Sequence, residues 1–237
     1  RWEIRRLESE AAHLTHDVFN EFPEEVKKRH TITHFFDRTI PRFITKNVRT
    51  FEVIGLLQAE MGKSNNGNLS FANHEYKIIN YVLSWFEKEL EVVKTTWKWS
   101  IKLNIQEPID LTYKKEIEDK VINHWLNRTN VTLKQAYPKR VTYIKNTNNE
   151  KPSFHGYGTL VLEYRNNLFS QIIKNFIKKI TYQEVINCDT LLIRSYLRGI
   201  IAGEASVECS IKYKKFRVHI TACASNEREI YVGCFKK

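Results

Sequence analysis

Between Trp97 and Gln106 apolar and polar side chains alternate without a break. Trp97, Trp99, Ile101, Leu103 and Ile105 fall on one parity, and Lys98, Ser100, Lys102, Asn104 and Gln106 on the other. Successive side chains of a strand point to opposite faces, so this stretch predicts a strand with one buried face and one polar, cationic face. Parity of the same kind predicts strands over Lys139 to Lys145 and Thr159 to Arg165, and a short one over Asn68 to Ala72. Near the C-terminus Val207, Cys209, Ile211 and Tyr213 alternate with Glu208, Ser210, Lys212 and Lys214. Phe216, Val218, Ile220 and Ala222 then alternate with Arg217, His219, Thr221 and Cys223, which reads as a hairpin turning at Lys214-Lys215. Helical spacing takes over elsewhere. Asn73 is expected to cap a helix running to about Leu90 through Ile78, Ile79, Val82, Phe86 and Leu90. Tyr113 to Asn127 (Ile117, Val121, Trp125) and Asn167 to Ile180 (Ile172, Phe176, Ile180) follow the same rule, and Ser225 opens a last helix much as Asn73-His74-Glu75 does. Upstream, Trp2 to Leu14 and Asp17 to His30 read as two helices, and Pro41 breaks the mixed aromatic and basic run from Phe35 to Phe43.

One pattern occurs twice. Val53-Ile54-Gly55-Leu56-Leu57-Gln58-Ala59-Glu60 and Leu197-Arg198-Gly199-Ile200-Ile201-Ala202-Gly203-Glu204 each place a glycine before two large aliphatics, a variable position, a small residue and a glutamate. Glycine within a helix costs about 1 kcal/mol against alanine, so two at one offset require a reason. Close approach of a second backbone is the usual one. Packing through Gly55 and Gly199 would bring Glu60 and Glu204 to the same end of a helix pair. There two carboxylates repel each other and face the negative ends of both helix dipoles, which a bound divalent cation would relieve.

These repeats resemble the paired motifs of single-chain LAGLIDADG homing endonucleases. The resemblance implies an α+β fold: a pseudo-two-fold pair of αββαββα halves whose motif helices form the interface and whose saddle-shaped antiparallel sheets hold duplex DNA. It implies that Glu60 and Glu204 are the catalytic, metal-binding acids, with Mg²⁺ (or Mn²⁺) as cofactor, and that Gly55 and Gly199 lie at the helix interface. The implied activity is site-specific hydrolysis of phosphodiester bonds in double-stranded DNA, as in intron or intein mobility. Two positions depart from the family pattern. Met61 and Ala205 follow the acids where the family usually has glycine, and Gln58 and Ala202 stand at the motif's first acidic position. Residues 1–48 read as an N-terminal helical extension packing on the first half, with a helix-turn-helix DNA-binding arm as the alternative, residues 49–181 as the first half and residues 182–237 as the second. To match the first, the second half would need a full helix, two more strands and a closing helix after Ser225, so it is expected to be incomplete.

Composition supports a polyanionic partner. Lys and Arg number 38 against 27 Asp and Glu, a net charge of +11. That balance favours nucleic acid over a membrane, since no run of about 18 apolar residues occurs. Duplex DNA is the expected partner, with intron RNA as a further candidate, and the chain is expected to act as a monomer. The 4 cysteines show no C-x-x-C spacing and read as buried apolar residues. An intracellular, reducing compartment follows as an expectation: cytoplasm, nucleus or organelle matrix.

A cationic strand face carries both phosphate partners and base-edge donors and acceptors. The expected DNA contacts are therefore Lys98, Ser100, Lys102, Asn104 and Gln106, joined by Lys212, Lys214, Arg217 and His219 from the second hairpin. Arg42, Lys46 and Arg49 could add phosphate contacts, and Lys63, Lys98 and Lys102 are candidates to polarise water. Two other classes fit the same residues: a non-catalytic LAGLIDADG-derived regulator or intron maturase, and a structural protein of a ribonucleoprotein.

Overall fold

The computed structural model describes residues 2–3, 41, 43–61, 68–92, 97–129, 136–143, 156–210, 215–222 and 225–237. The architecture is α+β. Its centre is a pair of packed helices, α1 (Val48–Glu60) and α5 (Thr190–Glu204). Each begins on an acceptor side chain, as local chemistry asks: Asn47 accepts from the Thr50 N–H and Asp189 from the Leu192 N–H, both at 2.9 Å.

Beside α1 stands a sheet of four strands: β3 (Leu69–Asn73), β4 (Lys98–Leu103), β5 (Ala136–Tyr143) and β6 (Thr159–Tyr164), in the spatial order β3-β6-β4-β5. The alternation read from sequence fixes its two faces. Leu69, Phe71, Trp99, Ile101, Leu160 and Leu162 are buried, whereas Ser70, Lys98, Ser100, Lys102 and Thr159 reach the other side. Helices α2 (Tyr76–Leu90) and α4 (Asn167–Lys179) supply the aromatic side chains that meet the buried face. Phe86 of α2 lies edge-on to Trp97 at 5.0 Å, and Phe169 of α4 packs on Tyr164 at 4.9 Å. On α4 Phe169, Ser170, Ile173, Phe176 and Ile177 are buried; of the expected inward residues Phe176 and the following Ile180 are buried and Ile172 packs partly buried against the core.

The sheet is mixed, not wholly antiparallel. β6 runs antiparallel to both β3 and β4, but β5 runs parallel to β4. The cause is α3 (Leu111–Arg128), which returns the chain to the start of the sheet before β5 begins. β5 is an edge strand, where Pro138 is tolerated, and its register with β4 slips between the pairs Trp99↔Ala136 and Ile101↔Val141. α3 itself is held by the buried Trp125, whose Nε1 donates to Tyr157 O at 2.8 Å. Between α1 and α2 the resembled αββαββα pattern implies two strands. Only β3 is a strand among the described residues, and Met61 contributes one antiparallel bridge, to Phe71.

After α5 come β7 (Ala205–Ser210) and β8 (Lys215–Ile220), antiparallel partners, and α6 (Ser225–Phe235). The apolar parity of β8 does not define a core face: Phe216 is 69% and Val218 45% exposed, and burial begins only at Ile220. At the other end, the expected first helix is corrected at its start. Trp2–Glu3 forms β1, paired antiparallel with β2 (Phe43–Ile44). The remainder of the two N-terminal helices, along with Arg42, Lys63, Lys212 and Lys214, lies outside the described residues. Among the described residues no helix is long and apolar enough to cross a membrane. Cys188 and Cys234 are free thiols, the latter buried.

Candidate active site

Helices α1 and α5 cross at their glycines. A Cβ on Gly55 would stand 2.2 Å from Tyr196 O and 3.1 Å from the Gly199 Cα; a Cβ on Gly199 would stand 2.0 Å from Glu52 O and 2.8 Å from Leu56 N. All of these are backbone atoms, which no rotamer change can move away. One turn on, the small residues repeat: a Cβ on Gly203 would lie 2.6 Å from the Ala59 Cβ and 3.0 Å from the Glu60 Cγ. Gly55-Ala59 and Gly199-Gly203 thus form two four-residue steps that keep the helices in close contact towards their C-terminal ends.

The two glutamates are the last residues of their helices. Both chains then turn the same way. Met61 (φ −73, ψ 127) and Ala205 (φ −81, ψ 137) are extended, and their N–H groups donate to Leu57 O and Ile201 O. Negative φ at both explains why neither position requires the glycine usual in the resembled motif.

Glu60 is half-buried in this junction. Its carboxyl is pushed up from an ordinary value of 4.5 to about 7, first by burial and then by the charge of Glu204, while a hydrogen bond from Asn73 pulls it back. Asn73, 3% exposed, donates Nδ2–H to Glu60 Oε1 at 3.2 Å, and its Oδ1 accepts from the Glu75 N–H at 2.8 Å. Asn73 was read from sequence as a helix cap. It closes a turn ahead of α2 and, at the same time, grips the acid. The signal was present: Asn73 shares the buried parity of Leu69 and Phe71, where a polar side chain requires a partner.

Other polar groups brace the pair. Glu52 on α1 accepts from the Tyr81 hydroxyl at 3.0 Å and lies 3.7 Å from Arg198 of α5. The buried Glu227 at the start of α6 accepts from Gln58 Nε2 at 3.0 Å and from the Tyr182 hydroxyl at 3.2 Å. Gln58 therefore ties α6 to α1. None of these roles was visible in the motif, because each needs a partner remote in sequence.

A hard divalent cation, if bound, would find oxygen ligands in Glu60 and Glu204. Two carboxylate side chains converge where one of them is hard to ionise unaided, and oxygen ligands are what Mg²⁺ and Mn²⁺ prefer. Among the described residues no group of three His, Cys, Asp or Glu side chains could hold a metal, so water and substrate oxygens would complete the shell. His219 is exposed on β8 and takes no part in such a group.

A carboxyl whose native pKa lies above its unfolded value binds its proton more tightly when folded. Stability from Glu60 is then fully present below pH 4.5 and is lost as pH rises through about 7. Thermal melts of the metal-free protein should show that loss, Glu60→Gln should remove it, and added Mg²⁺ should raise the melting temperature above pH 7 by mass action. A flat Glu60 contribution across that range, with no Mg²⁺ response, would contradict the assignment.

The expected DNA-contact residues divide. Lys98, Ser100 and Lys102 share the outer sheet face. Asn104 and Gln106 lie past the end of β4, where the alternation no longer has a strand to act on. Arg217 and His219 are exposed on β8, in the separate two-stranded sheet. One acid intrudes on the cationic face: Glu163 is the cross-strand partner of Lys98, accepts from Asn68 Nδ2, and pairs with Arg165 at 3.0 Å. The chain matches no protein-family model, no curated protein and no solved structure.

Proposed function

We propose that the chain is a Mg²⁺-dependent endonuclease of double-stranded DNA, of the LAGLIDADG homing type. The observation that carries this reading is the crossing of two repeated helices at Gly55 and Gly199, which sets Glu60 under the charge of Glu204. A pseudo-two-fold relation between the helix–strand units is part of the proposal and has a register argument behind it. The bridge Met61↔Phe71 follows Glu60 as the pair Ala205↔Ile220 follows Glu204.

In this reading the bound metal would activate water and stabilise the leaving 3′ oxygen of an in-line displacement. The protein's part is placement. α1 and α5 hold the two acids at one end of a rigid crossing, and Asn73 holds the Glu60 carboxylate by Oε1, leaving Oε2 for a ligand. Lys98, Ser100 and Lys102 offer a cationic strand face to the phosphates and base edges of a duplex. Specificity would come from that face and from the energy of bending DNA onto it.

The test is direct. Supercoiled plasmids carrying a randomised insert, incubated with the protein and Mg²⁺, should yield nicked and linear products enriched in one target, and EDTA should abolish them. Products absent at every salt concentration, with duplex binding retained, would replace the nuclease by a non-catalytic binder. Preference for structured RNA in a salt-titrated competition would replace both. The Lys98→Ala/Lys102→Ala pair should weaken binding to all duplexes alike and make the log–log salt slope shallower by about 1.8, near 0.9 per lost phosphate contact. An unchanged slope would remove this face from the interface.

A further inference from the structure

We infer that Glu163 reads one base of the target: on the outer sheet face it accepts a hydrogen bond from the 4-amino group of a cytosine, and so fixes a C·G pair at one position. This rests on the duplex-binding part of the reading above, and takes it from a cationic face to a single base contact.

Glu163 sits where a polyanion-binding surface has least use for an acid. Ser70 of β3, Glu163 of β6 and Lys98 of β4 are ladder partners, one beside the next, in a single row across three strands. Lys102 shares the parity of Lys98 on β4, and Arg165 follows Glu163 at the same parity. A carboxylate among these cations repels a phosphate brought to the same spot. Stability does not account for it either. The Glu163–Arg165 pair is open to solvent, with the arginine side chain 49% exposed, and exposed pairs contribute little. A base edge is the part of a duplex to which a carboxylate can bond. In the major groove the donors are amino groups, N4 of cytosine and N6 of adenine. Adenine sets the acceptor N7 beside its amino group, where a second acceptor is opposed; cytosine does not. Two acceptor oxygens with no donor therefore select cytosine.

The carboxylate is aimed before any DNA arrives. Oε1 accepts from Asn68 Nδ2 at 2.9 Å and Oε2 from Arg165 Nε at 3.0 Å. Asn68 and Arg165 adjoin the ladder pair Leu69↔Tyr164, so the two donors come from neighbouring strands and hold the group between them. At 19% exposure the side chain has little room to swing. A carboxylate offers about four acceptor sites, and these bonds use one on each oxygen. An amino hydrogen can therefore be taken without breaking either bond. A group already ordered in this way loses less entropy on binding.

The experiment uses the full chain and duplexes selected from a randomised library by binding in Ca²⁺. Each cytosine of a selected duplex is replaced in turn by N4-methylcytosine, whose methyl group takes the place of the groove-facing hydrogen in the paired base. Wild-type binding should fall by about 5- to 150-fold at one cytosine. Glu163→Ala should lose that sensitivity and keep its binding to duplexes in general. In Glu163→Gln the near-isosteric amide adds the donor that adenine recognition requires. Repeating the selection with it should shift that one C·G pair towards A·T and leave the other positions unchanged. No sensitive cytosine in the wild type, or the same sensitive cytosine in Glu163→Ala, overturns the inference while duplex binding stands. So does an effect of either variant that is equal at every position, which would make Glu163 an ion-pair partner only. The wild-type scan needs no variant, so it can overturn the inference even where a variant fails to fold. If no duplex is bound at any salt concentration, duplex binding and the base contact fall together. If duplex is bound and never cut, the nuclease alone falls and the scan judges the base contact as before.

Discussion

Glu60→Gln should abolish Mg²⁺-dependent cleavage while leaving the protein folded and able to bind duplex DNA. The substitution keeps the size of the side chain and its place at the end of α1, and it removes the charge that would hold the cation. Electrostatic stabilisation by a bound metal is worth several kcal/mol in the transition state. About 4 kcal/mol corresponds to roughly a thousandfold in rate, so cleavage should fall to background in a nicking assay. Binding should survive, since Lys98, Ser100 and Lys102 belong to β4 and not to the helix that carries the substitution. Gel shifts in Ca²⁺ would check it. The substitution should also stabilise the metal-free protein above pH 7, because an amide needs no proton in the half-buried junction where the acid is pushed up to about 7. Cleavage at the wild-type rate by Glu60→Gln would remove Glu60 from the chemistry. Loss of folding instead would mean that the carboxylate is structural.

The second large effect is on stability. Gly199→Ala would place a methyl group 2.0 Å from Glu52 O and 2.8 Å from Leu56 N, both in the backbone of α1. Neither can give without shifting a helix whose residues Val53, Ile54, Leu56 and Leu57 are at most 2% exposed. Overpacking typically costs about 1–3 kcal/mol, and a clash with backbone on both sides belongs at the upper end or beyond. Equilibrium urea unfolding should therefore show a loss of about 3 kcal/mol or more, with cleavage falling as the acids separate. Ala202→Ser, at an exposed position three residues along the same helix, should change stability by less than about 0.5 kcal/mol. A tolerated Gly199→Ala would mean that the helices do not cross as closely as their glycines imply.

The helix crossing was legible because it is written as an exception. Glycine within an apolar helical run has a local cost, and its recurrence at a fixed offset from an acid could be read without coordinates. The faces of β4 were legible for a related reason: the parity of Trp97 to Leu103 leaves only one assignment of inside and outside. Parity failed where it had no sheet behind it. Phe216 and Val218 alternate as well as any core strand does, yet their burial depends on what covers β8 and not on their own order. The parallel direction of β5 was equally hidden, since alternation carries no sign of strand direction and the slip around Pro138 arises from pairing. Asn73 shows the remaining limit. Its buried parity announced that a partner was needed, but Glu60 became that partner only through the bridge between Met61 and Phe71. Gln58 with Glu227, and Glu52 with Tyr81 and Arg198, are hidden in the same way, as contacts between elements far apart in the chain.

Glu60 and Glu204 are proposed to hold a divalent cation between the ends of two crossed helices. Anomalous diffraction at a manganese-sensitive wavelength, from crystals of the protein grown with Mn²⁺ and a selected duplex, tests it most directly. An anomalous peak is expected at the base of the crossing, within about 2.5 Å of a carboxylate oxygen of each glutamate. Manganese bound elsewhere, with the two carboxylates turned away from one another, would contradict it.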